Sequence, residues 1–226
     1  MADIAALIPA LECEATIQAV VAATRRHVPR VLVVDDGSSD RTADAAKAAG
    51  ADVLRLPANR GKGAALRAGL RALREHGVTH VVTLDGDGQH LGDDIPALLR
   101  ASAAEPGAIV LGARQHPPGS LAPIREFGNR FANRWVEIAC GAVFEDTQSG
   151  FRVYPIAATL ALGCRADRFA FETEVLIRAV RAGLAIRSVP VRVYNPPSDE
   201  RISHFRGVAD TTRIVFTVVG LILRIW

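Results

Sequence analysis

The residues best suited to do chemistry are two aspartates separated by one glycine, Asp85 and Asp87. They follow the short run 80–84, whose β-branched residues predict a buried strand. Two carboxylates this close repel each other unless a cation joins them. Mg²⁺ is typically held by one or two carboxylates together with substrate phosphates, and Gln89 and His90 come just after the pair. The spacing favours a metal and phosphate site, and the alternative is a pair of ordinary turn residues.

A second acidic pair, Asp35 and Asp36, also follows a predicted strand, at 30–34. In open α/β sheets, ligands bind beyond the carboxyl ends of the strands. The segment Gly61–Lys62–Gly63 opens a predicted helix and is similar to a phosphate cradle. It lacks both the third glycine of the dinucleotide fingerprint and the Ser/Thr of the P-loop, so those two classes are disfavoured. The alternative is tight packing of the helix start with Lys62 solvated, and the segment alone favours neither.

The elements that must position these residues alternate between strand and helix. The βαβ series in the first half predicts a parallel sheet with helices on both faces. Pro190 indicates that the last predicted strand is an edge strand or contains a bulge. Strands are predicted at 4–9, 30–34, 53–56, 80–84, 108–111, 151–154 and 186–194. Helices are predicted at 16–27, from a capping signal in the loop 35–40 to 49, at 62–76, from a cap at Asp93–Asp94 to 104, and at 124–139, 171–182 and 208–226.

Composition excludes several functional classes. The 226 residues are 49% hydrophobic and 23% charged, which is ordinary for a globular protein. The net charge is only +3 and aromatic residues make up 5%, so nucleic-acid binding is not expected. Three cysteines without a CxxC pair argue against a disulfide framework or a zinc site, and a reduced, cytoplasmic compartment fits best.

Seven segments, in order, resemble the family-two inverting glycosyltransferases of GT-A fold, and in particular the dolichyl- or polyprenyl-phosphate sugar synthases. They are IPALECEATI (8–17), VLVVDDGSSDRT (31–42), NRGKGAALRAG (59–69), VVTLDGDGQH (81–90), GAR (112–114), DTQSGFRVY (146–154) and FETEVLIRA (171–179). The resemblance covers nearly all of the chain up to Tyr194. It implies an α/β, GT-A, Rossmann-like and mostly parallel sheet with helices on both faces. A catalytic domain at 1–206 and a C-terminal apolar helix at 207–226 are expected.

The resemblance also implies a role for each matching residue. On the donor side, Pro9 and Glu12 would line the nucleotide base pocket, Asp35 and Asp36 would hold base and ribose, and Lys62 would lie near the nucleotide. Asp85 and Asp87 would bind Mg²⁺ or Mn²⁺ on the diphosphate, with support from Gln89. Arg114 and Arg125 would hold phosphate groups, and the acceptor side would contain Asp146, Gln148, Glu172 and Glu174. The family usually has Tyr-Asn-Glu where this chain has Leu11–Glu12–Cys13. The base, GDP or UDP, is therefore left open.

The expected reaction moves a sugar from a nucleoside-diphosphate sugar to a lipid acceptor, with inversion. Departure of the diphosphate builds negative charge that a cation can stabilise. A lipid phosphate acceptor, such as polyprenyl phosphate, is already anionic and needs positioning more than a base. A hydroxyl acceptor would need a carboxylate base, for which Asp146, Glu172 and Glu174 remain equal candidates. The rival functions are a sugar nucleotidyltransferase and a non-catalytic nucleotide- or lipid-binding module.

The C-terminal segment is apolar on nearly every side from Ile214 to Leu223, and Trp226 ends it. The run is shorter than the roughly 20 residues of a membrane span. Such a helix is either buried or interfacial. We expect it to hold the enzyme at the inner face of the cytoplasmic membrane as a peripheral protein, where the polar loop 201–206 could close over the diphosphate. Core packing or an oligomer contact are the alternatives.

Overall fold

A computed structural model describes residues 3–115, 133–194 and 207–222, with only the backbone described for 207–213. Within these residues, seven strands and eight α-helices follow one another, and all but one of the helices were predicted in this order. The strands are β1 Ile4–Ala10, β2 Val31–Asp35, β3 Asp52–Arg55, β4 His80–Thr83, β5 Ile109–Arg114, β6 Arg152–Pro155 and β7 Ile186–Val191. The helices are α1 Ile17–Arg25, α2 Thr42–Ala48, α3 Lys62–Glu75, α4 Ile95–Ala104, α5 at 133–140, α6 Ile156–Ala161, α7 Ala170–Arg181 and α8 Gly207–Ile222.

All seven strands form one mostly parallel sheet, in the order β3-β2-β1-β4-β6-β5-β7. Only β6 runs antiparallel to its two neighbours, β4 and β5. Because of this reversal, the loop that enters β6 arrives at the carboxyl ends of the parallel strands, where ligands bind in open α/β sheets. β7 forms one edge of the sheet and contains Pro190, as predicted.

Helices cover both faces of the sheet, which confirms the predicted layers. Successive residues of a strand point to opposite faces. In β1, Ala6 and Ile8 therefore pack against α1, α2 and α4, while Ala5 and Leu7 pack against α3, α6 and α7. β1 is buried over nearly its whole length, which explains its continuous apolar sequence.

The C-terminal helix packs one of its faces on the domain. Ile214, Val218 and Leu221 join an apolar cluster with residues of α5 and α7. Phe216, on the same helix, is 68% exposed. The core-packed alternative therefore holds for one face, while another remains apolar and uncovered within the described residues. In the described part of the chain, no helix combines the length and apolar character needed to cross a bilayer.

Two local predictions were wrong. Helix α6 was not predicted, because its six residues lie between Pro155 and Gly163 and are too few to show a helical period. Asp94 does not cap α4 with its side chain. Its carboxylate instead accepts hydrogen bonds from the backbone N–H, Nε and Nη2 of Arg192, which joins the start of α4 to the end of β7.

Candidate active site

A cleft of about 140 Å³ opens beyond the carboxyl ends of β1 and β4, beside the start of α3. Five segments of the chain contribute to its walls: the end of β1 with the turn after it, the turn after β2, the start of α3, the Asp-Gly-Asp turn after β4 and the segment before α7. The lining residues are Pro9, Ala10, Leu11, Cys13, Asp36, Asn59, Gly61, Lys62, Ala65, Asp85, Gly86, Asp87, Arg168 and Phe169.

Asp85 is the most strongly engaged carboxylate of the cleft. Lys62 Nζ lies 2.6 Å from its Oδ1, and His90 Nε2 lies 3.5 Å from its Oδ2. Burial alone would raise the pKa of Asp85, but Lys62 and His90 together lower it well below its ordinary value. Asp85 is therefore ionised at neutral pH. His90 is buried against Phe151, with the ring centroids 5.1 Å apart, so it is part of the site's wall.

Asp87 differs from Asp85 in its partners. Both of its oxygens accept hydrogen bonds from Gln89: Oδ1 from the backbone N–H at 3.0 Å and Oδ2 from the side-chain amide at 2.9 Å. Burial and the nearby negative charge of Asp85 raise the pKa of Asp87. The two carboxylates thus repel each other, as the sequence predicted. Gln89 supports the site by orienting Asp87.

Lys62 lies at the base of the cleft and is not solvated. Its side chain is 13% exposed, and Nζ also contacts Oε2 of Glu172 at 3.1 Å. The ammonium faces the ring of Phe169, 5.6 Å from its centroid. Burial alone would lower the pKa of Lys62, but Asp85 and Glu172 raise it, so the group stays charged.

The two glycines beside Lys62 serve close packing. Gly61 has φ +89°, and a Cβ there would lie 2.5 Å from Cγ of Arg168. A Cβ at Gly63 would lie 2.7 Å from Cβ of Phe171. The start of α3 is therefore pressed against the segment that leads into α7. The two glycines therefore fit the alternative of tight packing at the helix start. Lys62 does not fit that alternative, because it is paired with carboxylates and not solvated.

The acceptor-side loop is organised by one ion pair. Arg114, the last residue of β5, donates from Nε to Oδ2 of Asp146 at 2.6 Å and from Nη2 to Oδ1 at 3.0 Å. The backbone N–H of Gln148 also donates to Oδ1. Burial alone would raise the pKa of Asp146, but the Arg114 guanidinium lowers it. The structure thus brings these three predicted residues together, although Asp146 occupies two donors of Arg114.

The predicted glutamates have different surroundings. Glu172 is 7% exposed at its side chain and pairs with Lys62. Glu174 accepts backbone hydrogen bonds from Arg165 and Ala166 through Oε2 and one from Nε of Arg178 through Oε1. Glu174 is fully buried and its oxygens are occupied, which makes it the least accessible of the three candidate bases.

The residues predicted for the base pocket lie in different surroundings. Pro9 and Asp36 line the cleft. Asp36 accepts hydrogen bonds from two backbone N–H groups, those of Arg60 and Gly61, and burial raises its pKa. Glu12 does not line the cleft, because its carboxylate accepts hydrogen bonds from the N–H and hydroxyl of Ser39.

Asp35 is likewise outside the cleft lining. It is fully buried at the end of β2, where Oδ1 accepts a hydrogen bond from the N–H of Ser38 and Oδ2 lies 3.3 Å from Nε of Arg55. Asp35 therefore shapes the turn that presents Asp36. The predicted phosphate ligand Arg125 and the predicted closing loop 201–206 lie outside the described residues.

Sequence reasoning missed several cleft residues, among them Asn59, Cys13, Arg168 and Phe169. Arg168 has φ +53°, an uncommon conformation for a residue with a Cβ, and no sequence signal marked it. Cys13 is not a candidate nucleophile, because burial raises the pKa of its thiol to about 12.

The Asp85 and Asp87 pair fits a hard divalent cation in its chemistry. Both side chains offer carboxylate oxygens, and the Lys62 ammonium already lies against Asp85 as a cation. In the described part of the chain, no three His, Cys, Asp or Glu side chains form a group that could hold a metal ion. Phosphate oxygens of a ligand are the usual partners of two carboxylates in such a coordination shell.

The sequence is similar to those of known glycosyltransferases. The family model described as "Glycosyl transferase family 2" matches residues 5–155. The chain is 33% identical over 181 residues to the glycosyltransferase AglJ of Haloferax volcanii, a match that covers 78% of this chain and 58% of AglJ. It is 30% identical over 172 residues to an undecaprenyl-phosphate mannosyltransferase of Micrococcus luteus, covering 71% of this chain and 70% of that protein.

The fold is similar to that of a solved glycosyltransferase. The chain aligns over 97% of its length, and over 79% of the other chain, with the crystal structure of glucosyl-3-phosphoglycerate synthase from Mycobacterium tuberculosis in complex with Mg²⁺ and uridine diphosphate. The TM-score is 0.75 and the sequence identity is 26%. This similarity confirms the predicted GT-A fold.

Proposed function

The chain belongs to glycosyl transferase family 2, and we propose that it transfers a sugar, with inversion, from a nucleoside-diphosphate sugar to polyprenyl phosphate with the help of Mg²⁺ or Mn²⁺. Residues 1–206 would form the catalytic domain, and 207–226 would be the helix that docks it on the membrane. The observation that carries the choice of a phosphate acceptor is that each of the three candidate bases is already engaged by cationic or backbone donors.

The donor side of the proposal rests on the Asp-Gly-Asp turn and Lys62. Asp85 and Asp87 would hold the cation, and Gln89 would keep Asp87 oriented. The cation, when bound, would neutralise negative charge on the departing diphosphate. Lys62 lies within reach of the same place and stays charged at neutral pH, so its ammonium would add to that stabilisation. Pro9 and Asp36 line the part of the cleft left for the nucleoside.

The acceptor side of the proposal rests on which carboxylates could take a proton. Glu174 is enclosed by three donors, Glu172 is paired with Lys62, and Asp146 is paired with Arg114. A carboxylate that is already engaged in this way is poorly placed to act as a general base. A phosphate acceptor needs no base, since its oxygen is already anionic.

Arginine would position that phosphate. Arg114 uses Nε and Nη2 for Asp146, which leaves Nη1 as the group that would meet a phosphate oxygen. Arg125 remains the second proposed phosphate ligand. The mannosyltransferase relative has an undecaprenyl phosphate acceptor in its name, which supports the same acceptor class here. Peripheral attachment at the inner face of the cytoplasmic membrane would bring the site to such a lipid.

Product analysis with three acceptors tests the proposal. The purified protein is incubated with UDP- and GDP-sugars, Mn²⁺, and either polyprenyl phosphate, the matching polyprenol, or 3-phosphoglycerate. We expect a nucleoside diphosphate and a polyprenyl-phosphate sugar. Transfer to the polyprenol would show that a base operates, and transfer to phosphoglycerate alone would show a soluble acceptor. Release of pyrophosphate would indicate a sugar nucleotidyltransferase, and nucleotide binding without turnover would indicate a binding module.

A further inference from the structure

Arg152 is a fully buried cation to which the proposed chemistry assigns no role. It is the first residue of β6, and it is 0% exposed. Nε donates to the carbonyl of Ser149 at 2.8 Å, and Nη2 donates to that of Thr147 at 2.9 Å. Nη1 donates to the carbonyl of Glu172 at 2.9 Å and to the hydroxyl of Tyr154 at 3.2 Å. All four acceptors are neutral, so the guanidinium is held by oriented dipoles and not by a carboxylate.

These hydrogen bonds join the two segments that border the Lys62 and Asp85 pair. One is the acceptor-side loop 146–150, in which a Cβ at Gly150 would lie 2.6 Å from Lys62 Nζ and 2.9 Å from Asp85 Oδ2. The other is the first turn of α7, where the Glu172 side chain contacts Lys62. A shift of either segment would therefore change the spacing between the acceptor-side loop and the first turn of α7.

The residue type suits this connection. A guanidinium presents its donors in one rigid plane, so it fixes several carbonyls relative to each other, whereas a lysine ammonium is a single point charge. Burying a charge without a carboxylate partner is unfavourable, which makes Arg152 a poor choice if its task were core packing alone. Its contacts instead fix the separation between loop 146–150 and α7.

We propose that Arg152 is a positioning residue that sets the acceptor-side loop against the donor cleft, an inference that rests on the proposed transfer to polyprenyl phosphate. Loss of the guanidinium hydrogen bonds lets Thr147 and Ser149 move relative to Glu172. This movement misplaces the Arg114–Asp146 pair at the other end of the loop. Reactions of this kind depend strongly on the placement of the two reactants, so a small misplacement slows transfer. The nucleoside part of the cleft has no contact with Arg152, and nucleotide affinity stays the same.

The test compares Arg152→Lys with Arg178→Lys, a matched change on α7 that affects only the bond to Glu174. For Arg152→Lys we expect kcat/KM for polyprenyl phosphate to fall at least tenfold, while the Kd for UDP or GDP with Mn²⁺ changes less than threefold. Arg178→Lys lowers the melting temperature without changing the acceptor kinetics. Equal losses of stability with unchanged acceptor kinetics in both variants would overturn the proposal and leave Arg152 a fold residue.

A milder variant and a second measurement keep the test decisive. Tyr154→Phe removes one of the four acceptors and, if Arg152→Lys does not fold, should still raise the KM for polyprenyl phosphate two- to threefold at constant nucleotide Kd. Hydrogen exchange of loop 146–150 and of the first turn of α7 should be faster in Arg152→Lys than in Arg178→Lys. Unchanged hydrogen exchange would refute the role of Arg152, whatever the acceptor is. Absence of transfer to polyprenyl phosphate by the wild-type protein would instead refute the proposed function.

Discussion

Nζ of Lys62 lies 2.6 Å from Oδ1 of Asp85, so the first residue of α3 is paired with the first carboxylate of the Asp-Gly-Asp turn. The contact joins two elements on which the candidate site depends, the start of α3 and the end of β4. Glu172 contacts the same ammonium from α7. Three elements are thus connected through one cation, and the cation is mostly shielded from water.

Replacing Lys62 by methionine should lower the free energy of unfolding by about 3 kcal/mol, because the buried Glu172 and the partly buried Asp85 then lose their shared cation. Glu172→Gln in the same chain should restore at least about 1 kcal/mol, since it removes one of the two uncompensated charges. Urea unfolding of the two single variants and the double variant measures both numbers. Strictly additive effects of the two substitutions would contradict the shared ion pair.

Asp87→Asn should abolish binding of the metal and donor together without unfolding the protein. Wild-type protein should be stabilised by Mn²⁺ with UDP or GDP and not by Mn²⁺ alone, because two carboxylates need phosphate oxygens to complete the shell. Ligand at about 100 times its Kd adds roughly 2.7 kcal/mol of stability, which thermal unfolding detects readily. The variant should lack this increment.

The unliganded stability of Asp87→Asn should equal or exceed that of the wild type. Burial and Asp85 raise the pKa of Asp87, so the amide removes a like-charge repulsion. Asp93→Asn, a change at an exposed aspartate paired with Arg26, is the matched control and should keep full ligand stabilisation. Normal transfer by Asp87→Asn in excess EDTA would rule out the metal assignment.

The Arg114 and Asp146 pair predicts a dependence of stability on pH. The pKa of Asp146 in the folded protein is below its ordinary value of about 4, so the pair stabilises the fold fully above that pH and loses its effect as pH falls through the folded pKa. Asp146→Asn should lower the free energy of unfolding by about 2 kcal/mol between pH 5 and 7, and the difference from the wild type should shrink below pH 4.

Urea unfolding at a series of pH values measures this difference. Glu137→Gln, which breaks an exposed pair with Arg134, is the control and should change stability by less than about 0.5 kcal/mol throughout. A difference between wild type and Asp146→Asn that stays constant down to pH 3 would show that the Asp146 carboxylate keeps its ordinary pKa.

The sequence was sufficient for those parts of the fold that local pattern determines. Apolar runs and their spacing predict the alternation of strands and helices, and the strand-end rule places Asp85 and Asp87 in the cleft. The reversal of β6 was not predictable, because direction in a sheet depends on pairing with residues about 70 positions earlier, as between Thr83 and Arg152. The sequence also gave no reason to place α6.

The site features that the sequence did not reveal have one physical origin. Glu174 matched a family position, but three donors occupy its oxygens, two of them backbone groups eight or nine residues earlier in the chain. Arg152 lies within the motif DTQSGFRVY, but the motif alone does not indicate its role. Its hydrogen-bond acceptors become apparent only when loop 146–150 and α7 are packed together. A residue type and its spacing indicate which chemistry is available, whereas the packing of distant segments decides which groups remain accessible for it.

Phe216 tests whether α8 docks on a membrane. One face of the helix is packed through Ile214, Val218 and Leu221, so deleting α8 would uncover the core and confuse the result. Phe216 is 68% exposed, and burying such a side chain in the bilayer interface contributes about 2 kcal/mol. Phe216→Asp should therefore weaken sedimentation with anionic liposomes at low salt roughly tenfold or more.

The control for this prediction adds the same charge on the opposite side of the sheet. Ala48→Asp lies at the exposed end of α2, which packs against the other face, and should leave liposome binding within about twofold because it removes no apolar side chain from α8. Equal losses in the two variants would mean that net charge, not Phe216, controls binding.

If wild-type protein does not sediment with anionic liposomes at low salt, α8 is not a membrane-docking helix. The exposed apolar side chains of the helix would then fit a contact between copies of the chain, and sedimentation velocity of wild type against Phe216→Asp would detect that contact as a change in mass.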